Sequence, residues 1–202
     1  MLVRYASSLS GGGRRGTVLI RKTQRSIPID VANLEVVTRA MMERLGCGDF
    51  DVGIWLTTDA TIRQMNSDFR GKRKSTDILS FPFHDDLGPG EAPDVVPRDV
   101  EDLLNLGDMV VSLPYVARRA KADASKGAIA ADDDGRGVAA AMAHVTSVDE
   151  RVQMLIAHGL CHLLQYDHET DEEFEEMIER EEELLGVLRG CWSGSGGRDP
   201  DR

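Results

Sequence analysis

Residues 147–168, SVDERVQMLIAHGLCHLLQYDH, combine a helix start signal with three closely spaced histidines. Ser147 followed by Glu150 forms a capping box, which predicts the first turn of a helix. Apolar residues recur at helical spacing through the rest of the stretch, which predicts a helix with one buried face. His158 and His162 are four residues apart, so they lie one turn apart on the same side of this helix.

This histidine spacing predicts a metal site. Two imidazoles one helical turn apart can both bind one ion, each at about 2.0–2.1 Å. If the helix ends near Gln165, a turn can bring His168 to the same ion as a third nitrogen ligand. A lone histidine on an apolar helix face is usually a packed core residue, but three at this spacing favour a ligand set. We therefore predict one Zn2+ ion held by His158, His162 and His168, with a fourth position left for water.

Two residues between the histidines leave alternatives open. Cys161 could be a ligand, although a free cysteine is more often a small buried hydrophobe. Gly159 stands where a His-Glu-x-x-His peptidase carries its general base, so a peptidase would need a base from elsewhere. Glycine within a helix costs about 1 kcal/mol relative to alanine, which indicates close approach by a substrate or a neighbouring element, or simple helix packing. His84 and His144 lie in polar, loop-like sequence and are not expected to take part.

Length and composition exclude several classes of protein. The 202 residues are enough for one domain, and three scattered cysteines argue against a disulfide-stapled secreted module. No apolar run reaches the roughly 18 residues that a membrane helix needs, so we expect no membrane partner. The net charge of −11 argues against unspecific coating of nucleic acid, but a local basic patch would still bind phosphates.

The chain divides into three predicted parts. Residues 1–16 contain serine and arginine but no acidic residue, which is typical of an organellar transit segment and equally of a plain disordered extension. Residues 17–189 form the predicted domain, interrupted at about 122–146 by an Ala-, Asp- and Gly-rich loop insertion. Residues 190–202 are predicted to be a disordered tail. The acid-rich stretch 172–183 is interpreted as the solvated face of the last helix.

A cluster of basic side chains precedes a predicted strand at 78–83. This cluster would gather phosphates if the strand lies near the metal, although a charge run alone is usually a solvated surface. Beside a hydrolytic metal it predicts a phosphodiester substrate. Two carboxylates, Asp77 and Asp108, are candidates for orienting a histidine or the loop, or are ordinary structural groups. The predicted RNA-binding residues are Arg70, Lys72, Arg73 and Lys74.

Together these motifs resemble the YbeY family. The resemblance covers about residues 17–188 and implies a zincin-like α+β fold, a single domain with a mixed four-stranded sheet flanked by helices. It implies a zinc-dependent endoribonuclease in ribosomal RNA maturation, with ribosomal RNA and the small ribosomal subunit or its assembly intermediates as partners. The residues that carry it are His158-Gly-Leu-x-His162-Leu-Leu-x-Tyr-Asp-His168, Arg70-Gly-Lys, Thr76-Asp77-x-Leu-Ser-Phe-Pro82 and Gly107-Asp-x-Val-x-Ser112.

The resemblance also implies roles for single residues. The stretch 20–29 is similar to eukaryotic, organellar members, which favours a mitochondrial location over a plastid or cytoplasmic one. The family usually has glycine where this chain has Gln165. A left-handed helix cap costs a non-glycine residue about 1 kcal/mol, so we expect the turn that carries His168 to be slightly reshaped. The predicted catalytic residues are Arg70, His158, His162 and His168.

The favoured function is therefore a metal-dependent endoribonuclease directed at single-stranded RNA. A zinc peptidase is a rival suggested by the ligand spacing and opposed by Gly159. A second rival is a non-catalytic ribosome-assembly factor whose zinc is structural, with the site closed by a fourth ligand such as Cys161.

Overall fold

The computed structural model of the chain describes residues 14–126 and 136–195. Within these ranges a four-stranded sheet is flanked by α-helices, and one short 3-10 turn spans Glu101–Leu103. No described helix has both the length and the apolar character that crossing a membrane requires. The strands are β1 (Val18–Lys22), β2 (Asp51–Thr57), β3 (Ile78–Pro82) and β4 (Asn105–Ser112), and the helices are α1 (Val31–Arg44), α2 (Asp59–Arg70), α3 (Ala92–Val95), α4 (Leu113–Lys126), α5 (Gly137–Ala143), α6 (Val148–Leu163) and α7 (Asp171–Ser195).

The sheet is mixed, with strand order β1-β2-β4-β3. Strands β1, β2 and β4 run parallel, and β3 pairs with β4 in the antiparallel direction at one edge. Because side chains alternate along a strand, one face of the sheet carries the buried residues Val52, Ile54 and Leu56 of β2. This inner face packs against α1 and α6. The predicted α+β fold with a mixed four-stranded sheet flanked by helices is confirmed.

Helix α6 carries the first two histidines and forms as the sequence predicts. The Ser147 hydroxyl accepts a hydrogen bond from the Glu150 amide, so the predicted cap is present. The helix is buried along most of its length and packs on β3 and β4. It ends at Leu163, and Gln165 follows with a φ of 68°. Gln165 therefore adopts the left-handed conformation that favours glycine.

The predicted loop insertion at about 122–146 is wrong over its described part. Helix α4 continues to Lys126, and α5 forms over 137–143, while residues 127–135 lie outside the described ranges. Carboxylates of α7 cap the start of α5, since Glu182 accepts from the Gly137 amide at 2.9 Å and Glu181 from the Val138 amide at 2.7 Å. A helix held by acceptors from a distant helix leaves little signal in its own sequence.

The predicted tail boundary at residue 190 is also wrong. Helix α7 extends to Ser195, and residues 196–202 lie outside the described ranges. The Trp192 indole donates a hydrogen bond to the Gln153 side chain at 2.6 Å, which ties this last turn to α6. At the other end, the Gly16 amide donates to the Gly48 carbonyl at 3.0 Å. The packed region therefore starts before residue 17, and residues 1–13 are not described.

Candidate metal centre

The three predicted histidines converge at the end of α6. The Nε2 atoms of His158 and His162 are 3.2 Å apart, and His168 comes back to them from the following turn. One ligand atom from each residue can be chosen so that all three lie within 4.8 Å of one another. Tetrahedral zinc with nitrogen ligands at 2.0–2.1 Å separates neighbouring nitrogens by about 3.3 Å. The donor set therefore fits a zinc ion, and the part of the chain that is described adds no fourth protein ligand to this cluster.

Hydrogen bonds orient two of the three rings. His158 Nδ1 donates to Glu181 Oε1 at 2.6 Å, and His162 Nδ1 donates to the Tyr166 carbonyl at 3.0 Å. A carbonyl oxygen only accepts, so the proton of His162 must sit on Nδ1. With both Nδ1 atoms acting as donors, the lone pair of each neutral ring is on Nε2, which faces the cluster.

The environment of His162 keeps its ring neutral. Burial of the ring is the largest influence that lowers the pKa of His162 to about 4, and the neighbouring His158 and His168 rings act in the same direction. The Asp167 carboxylate and the Tyr166 carbonyl oppose this shift. At neutral pH the imidazole is thus uncharged, and the uncharged ring is the form that binds a metal ion.

Glu181 is a site residue that the sequence interpretation missed. Its side chain is only 5% exposed, and its two oxygens accept from His158 and from the Val138 amide. The sequence suggested that the acid-rich stretch 172–183 is a solvated face, but Glu181 within it is buried. Spacing could have revealed Glu181, because it follows Ile178 by three residues and precedes Leu185 by four, and both of these are buried.

The turn after α6 sets the position of His168. The Tyr166 amide donates to the Cys161 carbonyl at 3.0 Å, and the Gln165 amide donates to the His162 carbonyl at 3.0 Å. The Gln165 side chain donates to the His84 carbonyl at 2.5 Å, which anchors the left-handed residue. These bonds close the helix and turn the chain back toward the cluster.

The two remaining histidines lie away from the cluster. His84 Nε2 is 2.8 Å from the Leu103 carbonyl, and its ring packs edge-on against Phe83. His144 is exposed at the C-terminal end of α5. Neither joins the group of potential ligands in the described residues.

Gly159 allows α6 to approach the sheet closely. A Cβ atom at this position would lie 2.4 Å from the Met109 sulfur and 2.9 Å from Ile78 Cδ1. The close approach is therefore made by neighbouring strands and not by a substrate. A glutamate at this position has no room, which removes the usual base of a zinc peptidase.

Cys161 lies on the buried side of α6 and is 0% exposed. Burial, followed by the charge of Glu181, raises the pKa of its thiol well above the ordinary value. Cys161 is not among the described residues whose ligand atoms could share one metal ion with the histidines. The structure thus gives no support to a site closed by Cys161.

A pocket of about 400 Å³ opens beside the histidines. His158, His168 and Glu181 form part of its wall, and Asp77 and Ile78 at the start of β3 form another part. The rest is mainly apolar and comes from α5, α6 and α7. A substrate that enters this pocket would lie directly against the histidine cluster.

The predicted basic loop is connected to this pocket through Asp77. Arg70 ends α2, and the loop then follows a left-handed Gly71. The buried Asn66 amide donates to the Lys74 carbonyl at 2.8 Å, so the loop has a defined anchor. All four predicted RNA-binding side chains are exposed, but none is among the described residues that line the pocket. The loop instead leads to Asp77, which does line it.

The two candidate carboxylates have different surroundings. Asp77 Oδ1 accepts from the Ile78 amide at 2.9 Å and the Thr76 hydroxyl at 3.0 Å, so it orders the entry to β3. Asp108 is exposed on the outer face of the sheet, where its side chain lies over Gly53. The suggestion that Asp108 orients a histidine is therefore wrong, because alternation along β4 turns it away from α6.

Comparisons with known proteins agree with this geometry. The family profile described as Endoribonuclease YbeY matches residues 19–129 and 136–189. The human Endoribonuclease YbeY is 32% identical over 172 residues, which are 85% of this chain and 88% of the human protein. The Thermus thermophilus Endoribonuclease YbeY is 34% identical over 157 residues, 78% of this chain and 90% of that protein. The chain is thus similar to endoribonucleases along most of its length.

One more relative and one solved structure are also similar to this chain. The Endoribonuclease YbeY of Rhodopseudomonas palustris is 36% identical over 141 residues, which cover 70% of this chain and 58% of that protein. A solution structure of a Thermotoga maritima protein superposes with a TM-score of 0.47 and 21% identity, covering 92% of this chain and 99% of that one.

Proposed function

Since the chain belongs to the YbeY family of endoribonucleases, we propose that it is a zinc-dependent endoribonuclease that cleaves single-stranded RNA during ribosomal RNA maturation. One observation carries this proposal: three imidazoles present nitrogen atoms within 4.8 Å of one another beside an open pocket. An exposed basic loop leads to the same pocket, which suits a phosphodiester substrate.

His158, His162 and His168 would hold the ion, and a bound Zn2+ supplies an activated water and a Lewis acid. Glu181 and the Tyr166 carbonyl hold the Nδ1 protons of the first two rings, so their Nε2 atoms stay available as ligands. The pocket wall beside the histidines is mainly apolar, with side chains from α5, α6 and α7.

The basic loop acts on the phosphate groups in this proposal. Arg70 steadies the non-bridging oxygens, whose negative charge grows in the transition state. Lys72, Arg73 and Lys74 guide the RNA backbone with little base selectivity, because phosphates carry no sequence information.

Two variants separate metal binding from substrate binding. We expect His162→Ala to lose zinc and RNA cleavage together, because it removes one ligand. We expect Arg70→Glu to retain zinc but to cleave roughly 10²–10³-fold more slowly, since it removes a positive charge at the transition state. Metal analysis and cleavage of a labelled single-stranded RNA measure both effects. Lys121→Glu on the exposed side of α4 is the matched charge control. Wild-type cleavage by Arg70→Glu would contradict the role of Arg70.

The rival functions are tested with the same protein. Incubation of the zinc-loaded protein with casein and with structured RNA, each with and without chelator, distinguishes a peptidase from a nuclease. Normal ribosomal RNA processing in cells that carry a folded but metal-free His162→Ala protein would favour a non-catalytic assembly factor.

We further propose a mitochondrial location and the small ribosomal subunit, or its assembly intermediates, as the partner. Residues 1–16 support the location because they carry arginines and no acidic residue. Fusion of these residues to a reporter should direct it to mitochondria. Co-sedimentation of the full chain with small-subunit particles tests the partner, and absence from that fraction would contradict it.

A further inference from the structure

The described elements leave part of the outer face of the sheet uncovered. Helix α2 covers the part formed by β3 and β4, where Ile62 packs with Leu79 and Val110 in a small separate core. Over β1 and β2 the face is open, and Leu19 is 68% exposed. The uncovered part forms a groove of about 350 Å³ that continues beside the last turn of α2. We call this the outer groove.

Aromatic rings line the outer groove. Strand register places Leu19, Gly53, Asp108 and Phe81 in one row across the sheet, and Trp55 lies in the next row. Gly53 contributes no side chain, and the Asp108 side chain lies over it. The ring of Phe69, at the end of α2, borders the outer groove at 68% exposure and packs edge-on against Phe81, with the ring centres 5.1 Å apart.

Positive charge surrounds these rings. The Arg21 guanidinium lies 5.2 Å from the centre of the Trp55 ring. The basic loop of residues 70–74 begins directly after Phe69. Asp108 is the one acidic residue among the described residues that line the outer groove. Arg21 balances Asp108 within the lining, so the positive charge near the rings comes from the exposed basic loop, and that charge suits an anionic partner.

We propose that the outer groove binds single-stranded RNA, with bases stacked on Phe69 and Trp55 and phosphates held by Arg21 and the basic loop. Aromatic rings flanked by cations suit such a strand, because every base has a flat face to stack and every linkage carries a charge. An acidic protein surface, including a second copy of this chain, would also meet the cations, but it has no regular series of flat bases for the exposed rings. The inference rests on the proposed ribonuclease function and extends it to a second contact region.

The topology connects the outer groove to the metal centre. Strand β3 is at the edge of the sheet. The segment that leads to it begins at Phe69, which lines the outer groove, and ends at Asp77, which lines the histidine pocket. An RNA strand can therefore cross this edge along the basic loop, with one part stacked outside and another part in the histidine pocket. The outer groove then holds substrate at a distance from the cleaved bond.

Binding is measured without cleavage. The probe is an oligouridylate of about 12 nucleotides, within the roughly 4–16 that a stacking groove of this kind spans. With chelator present, fluorescence anisotropy gives the affinity, and quenching of tryptophan emission reports contact with Trp55. We expect Trp55→Phe to lose most of the quenching that the wild-type protein shows.

Substitutions at Phe69 separate stacking from apolar docking. We expect both Phe69→Ala and Phe69→Leu to weaken binding about 5- to 150-fold, because both remove the ring. Leucine keeps the apolar bulk, so a protein-type contact would survive Phe69→Leu but not Phe69→Ala. Val36→Ala is the control, since Val36 is 62% exposed on α1 and lies outside the outer groove.

Salt dependence separates the phosphate contacts from the stacking contacts. We expect Lys72→Gln to reduce the slope of log affinity against log salt by about 0.7, because one phosphate contact is lost. Phe69→Leu should leave that slope unchanged, and so should the control Lys121→Gln.

The outcomes distinguish this inference from the proposed function. Wild-type affinity in Phe69→Leu would overturn the outer groove as an RNA site, even if the protein cleaves RNA. Weakened binding in Phe69→Leu would support the outer groove even if the zinc-loaded wild-type protein fails to cleave RNA. Sedimentation of the same variants tests a second copy, because a dimer that Phe69→Ala dissociates would also overturn the proposal.

Discussion

Glu181 connects the metal centre to two helices through one carboxylate. One oxygen accepts from His158 and the other accepts from the Val138 amide at the start of α5. Because the carboxylate is 5% exposed, water does not replace either bond when one is lost. The ring of His158 and the position of α5 are therefore set by the same group.

We expect Glu181→Gln to weaken zinc binding about 10- to 100-fold. An amide offers one acceptor oxygen in place of two, so either His158 or the Val138 amide loses its partner. Competition with a chromophoric chelator measures the dissociation constant. Glu179→Gln, an exposed change on the same helix, should leave it unaltered. An unchanged zinc affinity in Glu181→Gln would show that the carboxylate does not support the ligand.

Gln165 holds a backbone conformation that favours glycine. Its φ is 68°, and its side chain donates to the His84 carbonyl. We expect Gln165→Gly to be more stable than Gln165→Ala by about 1 kcal/mol, because both lose the side-chain bond and only alanine retains the strain. Chemical denaturation of the metal-free proteins measures the difference. Equal stability would mean that the turn relaxes out of the left-handed region.

At the level of single residues, the sequence predicted the histidine cluster better than the residues that hydrogen-bond to it. The histidine trio was visible because its spacing fits one face of a helix followed by a turn. Glu181 was hidden among many neighbouring acids, although its place on the apolar stripe of α7 marked it. The position of Asp108 depends on which face of β4 is inner, and local sequence does not settle that.

Among the elements, α6 packs unusually near the sheet at Gly159. We expect Gly159→Ala to destabilise the protein by about 1–3 kcal/mol, since the added Cβ would overlap Met109 and Ile78. Gly186→Ala on α7 meets no atom within 4 Å and should stabilise by about 0.4–1 kcal/mol. Denaturant unfolding of both variants gives the comparison. If both changes had the same sign, the packing at Gly159 would not be tight.

Element boundaries show where local sequence was insufficient. Helix α6 was predicted correctly because its cap and its apolar residues are local signals. Helix α5 and the end of α7 were missed because tertiary partners stabilise them, namely the carboxylates of α7 and the bond between Trp192 and Gln153. The family resemblance implied a mixed four-stranded sheet but not the order β1-β2-β4-β3, because strand patterns do not fix which strands are neighbours.

For the whole molecule, the metal centre joins α6 to the turn before α7. We expect zinc at about 100 times its dissociation constant to add about 2.7 kcal/mol to the free energy of unfolding. For a domain of this size that corresponds to roughly 5–11 °C in Tm. Scanning calorimetry with and without chelator measures the shift. His162→Ala should show none, and an equal shift in that variant would place the stabilising ion elsewhere.

The order of elements along the chain has a consequence for biosynthesis. The two histidines of α6, His158 and His162, are translated before Glu181. Helix α7, which carries Glu181, packs back on α1 and α6. A nascent polypeptide can thus assemble its sheet while the support of His158 is still inside the ribosome. The carboxylate that orients His158 therefore joins the histidine cluster late in synthesis, when α7 packs on α6.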